Sequence, residues 1–414
     1  MPNSFKKADW VCMESLRRLV NRLEVVPYFD TSYSREFTQA FPVGEKITIK
    51  LPQEYKIRDG ILYDPQPIVR RSTEVTLDQI FGIDFDWDSV DKALNMERGE
   101  SIVREEYIEP AMDKLAQQIE SRSARFALLN TPNVVGVLGT TPTSLAPFFN
   151  ARQKLVEFSV PPGKVGMFIS PAINTSLGTN LSTLLNPQKE LSDLFKTGVM
   201  GNAAGFKWHE SMSLLSMQAG TMTAADVTVS APIADGATSV VLASAAAGAA
   251  LKKGDIISFT TPMAVNPMTK NSIGSARTVV LTQDCTIAAG GATATAYFYP
   301  PLYGPNSEYQ NVDVLPAAGH VVVLYPGTAN PSGLSGVNGL AIHRGAFALV
   351  GVKLEQPKAV ELSSTMRDPK SGLSISFVRA FDIKTRTMSN RFDVLMGFGR
   401  LRPENCAVRV ASLL

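Results

Sequence analysis

Cysteine, histidine and tryptophan each occur only three times in these 414 residues, and the most apolar later run, 240–251, is short and rich in Ala, Ser and Gly. Cys12, Cys285 and Cys406 lie far apart and are odd in number, which argues against a disulfide framework or a thiolate metal site and points to a reducing compartment. His209-Glu210 has no second histidine one turn on, so the HEXXH zinc pattern is absent; His320 and His343 stand alone in β-type runs and read as packed or surface side chains. There is no GXSXG nucleophile turn and no GXXXXGK[ST] phosphate loop. Gly397-Phe398-Gly399 lacks the third glycine of a dinucleotide loop. Charge of neither sign dominates: the net value of +2 predicts no long-range attraction to nucleic acid or to a lipid surface. The first ten residues lack the apolar core of a signal peptide, so a soluble, cytosolic chain with no membrane partner is expected. These absences predict no enzyme, no cofactor and no metal.

What is present is a globular composition, 44% hydrophobic and 19% charged, at a length that suggests two or three domains. The longest consistent helical stripe covers 100–130: Ile108, Met112, Leu115, Ile119 and Phe126 recur at helical spacing, with acidic and basic residues on the other faces. Pro110 inside it predicts a kink or a restart, and Thr131-Pro132 ends it. A shorter amphipathic helix is predicted over 9–26, stopped by Pro27. The segment 44–52 alternates as a half-buried strand, and 54–76 turns at Asp59-Gly60 and returns through PIVRRSTEVTL. Few residues of this arm could form a core of their own.

Charge is uneven there. Residues 46–71 carry six basic and three acidic side chains, whereas 76–120 carry twelve acidic and four basic. Exposed ion pairs contribute little singly, but a coreless arm opposite in sign to the long helix predicts docking on another copy. Further on, helices are expected over 144–156, with a cap at Thr143 or Ser144, and over 172–185 and 188–196, with a buried strand over 164–170.

The composition changes near Thr221. The first 130 residues hold 40 charged side chains, while 221–330 hold ten and are rich in Ala, Thr, Val and Gly. VTVS, TSVVLA, GDIISFTT, ARTVVLTQDCTI, ATAYFYP and HVVVLYP are short β-type runs separated by turn residues, the pattern of a separate small barrel or sandwich. The Ala-rich run 243–250 fits either a loop or a short helix. Two long strands forming a hairpin, LSISFVRAFDIKT and RFDVLMGFGRL, and a last strand in RPENCAVRVASLL follow, giving a mixed α+β body. Asp84, Asp86 and Asp88 open like a calcium loop, but Ser89 and Asn95 stand where its glycine and bidentate glutamate belong, so a solvated acidic turn is expected. Residues 367–409 carry nine basic and four acidic side chains, enough for phosphate contact without sequence reading and equally for salt bridges within the hairpin.

Three patches, VMGNAAGFKWHESMSL, LKKGDIISF and RFDVLMGFGRLRPENCAVRVAS, set in this order of parts, resemble the major capsid proteins of tailed phages with the HK97-like fold, more narrowly the Salmonella-podovirus type of coat protein with an inserted domain. The resemblance covers nearly the whole chain in architecture. It implies an N-terminal arm (1–43), an extended loop (44–76), a peripheral domain with a long spine helix (77–133), an axial domain (134–220), an inserted all-β, barrel-like domain (221–330), and a second axial part returning to the periphery (331–414). It also implies self-assembly into hexamers and pentamers of an icosahedral shell with a scaffolding protein and a portal protein, expansion around packaged double-stranded DNA held non-specifically, and a place in the virion after assembly in the host cytoplasm. Some relatives weld their subunits through lysine; no motif near Lys46, Lys50 or Lys56 supports that here. On this reading Lys56, Arg58, Arg70 and Arg71 of one subunit's loop meet Glu105 and Glu109 of a neighbour. The alternative is a phage tail or carbohydrate-binding protein whose β insertion carries the ligand site.

Overall fold

The computed structural model describes residues 3–33, 46–55, 60–63, 65, 68, 71–88, 108–181, 201–214, 216–222, 227–244, 249–288, 290, 292–325, 333–356, 360, 362–384 and 387–412. The chain is α+β and divides into two compact units, each gathered from separate stretches.

The first unit comprises 1–49, 72–123 and 347–400. Its sheet is built on two long antiparallel strands, Ser72–Asp88 and Thr387–Arg400, paired from Asp88 opposite Thr387 to Thr76 opposite Phe398. Lys46–Lys50 adds at one edge, Ser374–Asp382 and Leu362–Arg367 at the other, and Phe347–Val352 pairs with the last turnless stretch of Thr387–Arg400. The expected acidic turn is part of the strand Ser72–Asp88. Its aspartates fall two apart, so Asp84 and Asp86 share the exposed face while Phe81, Ile83 and Phe85 turn toward the other, the period-2 alternation of a half-buried strand. Gly397 and Gly399 are close-packing positions: a Cβ on the first would collide with the Thr76 carbonyl, and on the second with Val75.

The N-terminal helix runs Asn3–Asn21, earlier at both ends than its apolar spacing predicted, and it packs on Leu362–Arg367 with Cys12, Leu16 and Leu19 buried. Pro27 does not stop it; it lies in a separate 3-10 turn, Val26–Tyr28, after which Phe29 stacks on Phe347 at 5.5 Å.

The long helix is Glu109–Asn130, with 101–107 outside the described residues. Its 22 residues span about 33 Å. Pro110 neither kinks nor interrupts it, because it occupies the first turn, where a backbone N–H has no partner in any case. Ile108, Met112, Leu115 and Ile119 are buried as expected; Phe126 is half-exposed, and Ala124, Ala127 and Leu128 complete the stripe. Asn130 and Thr131 close the end by donating to the carbonyls of Phe126 and Ala127, both at 2.7 Å.

The second unit comprises 50–71, 124–346 and 401–414. One sheet runs in the order Val134–Gly136, Ala407–Ala411, Gly339–His343, Val165–Ile169, Phe206–Glu210, Asn202–Ala203, with mixed parallel and antiparallel pairs. Helices Ala146–Glu157 and Pro171–Leu181 cover it through Phe148, Leu155, Ile173 and Leu177, against Met167, Trp208 and Val408. The first of these helices begins after Leu145 without a side-chain cap, so neither Thr143 nor Ser144 plays the expected role. The helix expected over 188–196 lies outside the described residues.

The β-type runs after Thr221 form a second six-stranded sheet in the order Val322–Tyr325, Ile256–Val265, Ser272–Leu281, Thr293–Leu302, Ala237–Ser244, Val227–Val229. Its two ends meet: Thr228 bridges Val321, and Val229 exchanges backbone hydrogen bonds with His320 and Gly319. Closure of this kind removes exposed edges. Ala243 and Ser244 end one strand and Ala249–Leu251 forms another, so neither end of the Ala-rich run is helical. The composition break marks no break in the core, since Val134, Leu138 and Ala411 belong to the same apolar cluster as Leu242, Phe259 and Phe298.

Candidate functional site

The arm leaves and returns through a backbone hydrogen bond from Leu51 N–H to the Arg71 carbonyl, 3.0 Å. Just beyond that closure, side chains from the arm and from the β-rich segment 266–311 interlock. Glu54 accepts from Arg71 on Oε1 and from Lys270 on Oε2, each at 3.3 Å. The Arg71 guanidinium lies over the Tyr309 ring, 4.0 Å from its centre, and bonds the Tyr303 hydroxyl. Tyr309 donates to Gln53 Oε1 at 2.9 Å, and Gln53 donates to Glu308 at 3.1 Å. Burial, the largest influence, raises the Tyr303 hydroxyl above the usual tyrosine range, and the arginine beside it opposes this. A short polar segment with no core of its own is thereby held by a carboxylate shared between two cations. Glu54→Ala is expected to leave both cations without it and to cost about 1–3 kcal/mol locally, seen as faster limited proteolysis of 50–71 with the rest of the chain intact. Unchanged cleavage would show that the ion pairs do not hold the arm.

Farther out the arm is apolar and exposed: Ile61 is 97%, Leu62 86%, Tyr63 86% and Ile68 69% accessible.

Of the residues expected to make contacts between copies, Lys56, Arg58, Arg70 and Glu105 lie outside the described residues. Arg71 faces Glu54, Tyr303 and Tyr309 within its own chain. Glu109 accepts from Arg18 at 2.9 Å, and one turn on Asp113 accepts from Arg22 at 3.0 Å. The acidic start of the long helix is thus met, within the first unit, by Arg18 of the N-terminal helix and Arg22 just past its end.

Two buried polar clusters escaped the sequence reading. In the first unit, Glu120 is 6% exposed and its carboxylate accepts the backbone N–H groups of Glu24, Val25 and Val26 at 3.0, 2.9 and 3.3 Å. Burial pushes this carboxyl up to about 7, against the three hydrogen bonds and helped by the charge of Glu24. In the second unit, Arg409 is 3% exposed and donates to the carbonyls of Thr131 (3.1 Å) and Gly254 (2.9 Å). Asp255 nearby accepts from Gly220 and Lys252 at 3.0 and 2.8 Å. Burial lowers the guanidinium to about 9 and raises the Asp255 carboxyl, each opposed by the charge of the other. Gly254 sits at φ +93°, a backbone conformation that favours glycine. Asp255 and Arg409 lie within LKKGDIISF and RFDVLMGFGRLRPENCAVRVAS, two of the patches that carried the resemblance, which was the signal available for them.

Among the described residues, no group of three or more His, Cys, Asp or Glu could hold a metal ion, and no helix is long and apolar enough to cross a membrane. His209 stacks on Phe168 at 5.2 Å, and His343 accepts from Gly345 N–H at 3.1 Å.

A family model described as P22 coat protein, gene protein 5, matches residues 88–411. No curated protein sequence matches the chain. Among solved structures, a chain from Mycobacterium phage Che8 is 12% identical, with 94% of this chain and 90% of that one covered and a TM-score of 0.48. The capsid of the Cyanophage P-SCSP1u gives 12% identity, 89% and 84% coverage and a TM-score of 0.42. The CUS-3 coat protein I-domain is 20% identical, with 25% of this chain and 98% of that one covered and a TM-score of 0.19.

Proposed function

This chain belongs to the P22 coat protein family, whose model spans 88–411, and we propose that it works as a shell tile whose arm fastens it to a second copy. It is a major capsid protein that forms the shell of a phage; the family match is the observation that carries this conclusion. In the proposed arrangement, of HK97-like type, 1–43 is the N-terminal arm, 44–76 the extended loop, 77–133 the peripheral domain with its spine helix, 134–220 and 331–414 the axial parts with the return to the periphery, and 221–330 the inserted, barrel-like domain. The joined sheet ends within 227–325 support a barrel-like form for the inserted part.

The tiles gather as hexamers and pentamers with a scaffolding protein and a portal protein in the host cytoplasm, and the shell expands around packaged double-stranded DNA. The exposed tip Ile61, Leu62, Tyr63 and Ile68 supplies apolar contact with the neighbour, while Lys56, Arg58 and Arg70 meet acidic residues such as Glu105. Arg71 and Glu109 have partners in their own chain, and in this scheme they position the arm and the helix that the neighbour meets. Negative-stain electron microscopy of the purified chain at rising concentration, alone and with its scaffolding protein, tests the whole reading. Shells, partial shells or spirals tens of nanometres across are expected; small discrete oligomers under every condition would refute it. The combined substitution Lys56→Glu and Arg58→Glu is expected to cut shell yield several-fold, because like charges set opposite each other are repelled, while the monomer's circular dichroism stays unchanged. Normal shells from that variant would remove the charged contact from the scheme.

A further inference from the structure

A cavity of about 160 Å³ opens beside the base of the arm, lined by Pro52, Gln53, Glu54, Arg71, Arg402 and Asn405 together with Ser159, Pro267 and Met268. Its polar groups are unevenly matched. Glu54, the one carboxylate in the wall, is already shared between Arg71 and Lys270. Arg402 is half-buried, yet its guanidinium makes no ion pair or hydrogen bond among the described residues, and the side-chain amide of Asn405 makes none either. The Arg71 Nε is buried and also without a partner among the described residues. Gln53 and Ser159 are occupied elsewhere, by Glu308 and Asn266. Unused donors therefore outnumber unused acceptors, and two guanidinium groups face one carboxylate already engaged.

The partly buried Arg402 guanidinium is left without a counter-charge among the described residues, and pairing it with an anion is favourable. Its planar fork of donors suits the paired oxygens of a carboxylate or phosphate. Pro52, Pro267 and Met268 form the cavity's rim, with Pro52 and Met268 exposed, so the site is open to an anion from solvent. The space is wide enough for several waters or for one small oxyanion.

We propose that this cavity is an oxyanion site, in which Arg71, Arg402 and Asn405 hold a single phosphate or carboxylate group. The bound group ties the base of the arm to the segment that follows the strand Thr387–Arg400, so its occupancy sets how firmly the arm is held. The proposal does not depend on shell formation.

Isothermal titration of the full chain with inorganic phosphate at pH 7, with ionic strength held constant by chloride, tests it. Saturable binding to one site is expected, weakened at least tenfold by Arg402→Gln and by Arg71→Gln, and changed less than twofold by Lys46→Gln, which removes an exposed charge elsewhere. If either arginine variant loses its native circular dichroism, Asn405→Ala supplies the same reading with no charge change and an expected weakening of about threefold. Acetate in place of phosphate separates the sources. Acetate binding as tight as phosphate assigns the site to a carboxylate side chain, and phosphate tighter by tenfold assigns it to a phosphate group. Absence of saturable binding by both anions, or equal affinities in wild type and the arginine variants, overturns the proposal.

Discussion

Arg409→Ala is expected to lower the stability of the second unit by about 3–5 kcal/mol, the cost of breaking a buried charge cluster by removing one member. Three losses combine. The carbonyls of Thr131 and Gly254 lose their donor. Asp255, 7% exposed, loses the nearby cation that lowers its titration against burial. The deleted side chain also enlarges a small cavity of about 30 Å³ that Arg409 already lines with Asp255, Asn338 and Tyr325. Thr131 follows the long helix, Gly220 and Gly254 belong to the start and the first third of the β-rich stretch, and Arg409 lies in the last strand, so one side chain joins parts remote in sequence. Arg409→Lys keeps the charge but not a fork able to reach both carbonyls, and is expected to fall about midway between Ala and wild type. Asp255→Asn can keep an oxygen where Oδ2 accepts both the Gly220 and the Lys252 N–H but loses the charge beside Arg409, and is expected to cost about 1–2 kcal/mol. Thermal scans of the monomer would read the alanine variant as a drop of about 10 °C or more. A drop under 2 °C would mean that Thr131 and Gly254 are satisfied by water and that Arg409 is not the fastening.

Local periodicity made much of this fold readable. Each of the six β-type runs after Thr221 contains one strand of the sheet formed within 227–325, because short alternating segments bounded by Gly, Pro and Asn leave little choice; the end of ARTVVLTQDCTI, Cys285–Ile287, instead pairs with Ala249–Leu251 in a separate two-stranded sheet. The stripe Ile108, Met112, Leu115 and Ile119 is buried for the same reason. Reading failed where two periods competed or where a partner came from far away. Asp84, Asp86 and Asp88 suggested a loop because three close carboxylates resemble a metal site; the alternating Phe81, Ile83 and Phe85 are the stronger signal, and pairing with Thr387–Arg400 decided it. The charge counts at 46–71 and 76–120 were correct, yet they could not say which basic segment meets the long helix. Within the first unit Arg18, in the N-terminal helix, and Arg22, just past its end, do so, each 91 residues before its partner. Glu54, Lys270 and Tyr309 come together over more than 200 residues, a distance at which neither spacing nor propensity carries information.

Docking of the N-terminal segment in the first unit is expected to weaken by about 3 kcal/mol as pH rises from 4.5 to 7, through Glu120 alone. An ordinary glutamate titrates near 4.5, whereas burial holds this carboxyl near 7. Below 4.5 the folded and unfolded forms are both protonated, and the full contribution is present. Between the two values the unfolded chain releases its proton while the folded one keeps it, so stability falls; above 7 both are ionised and the loss is complete. No histidine of the first unit titrates in this window. His209, His320 and His343 all belong to the second unit, and burial raises Cys12, in the first, to about 11. Glu120→Gln removes the slope, since an amide does not ionise, but its NH₂ group faces the Val25 N–H where Oε2 stood. It is therefore expected to sit about 1–2 kcal/mol below the protonated wild type and to be flat from pH 5 to 8. Glu120→Ala strands the N–H groups of Glu24, Val25 and Val26 and is expected to be the weakest at every pH. Hydrogen–deuterium exchange of a peptide covering 20–30, corrected for the intrinsic rate, reads this directly as protection that falls with pH in wild type and not in the glutamine variant. Equal protection at pH 5 and pH 8 in wild type would place the Glu120 proton on neither side of the transition, and the three backbone hydrogen bonds would then hold the carboxylate ionised throughout.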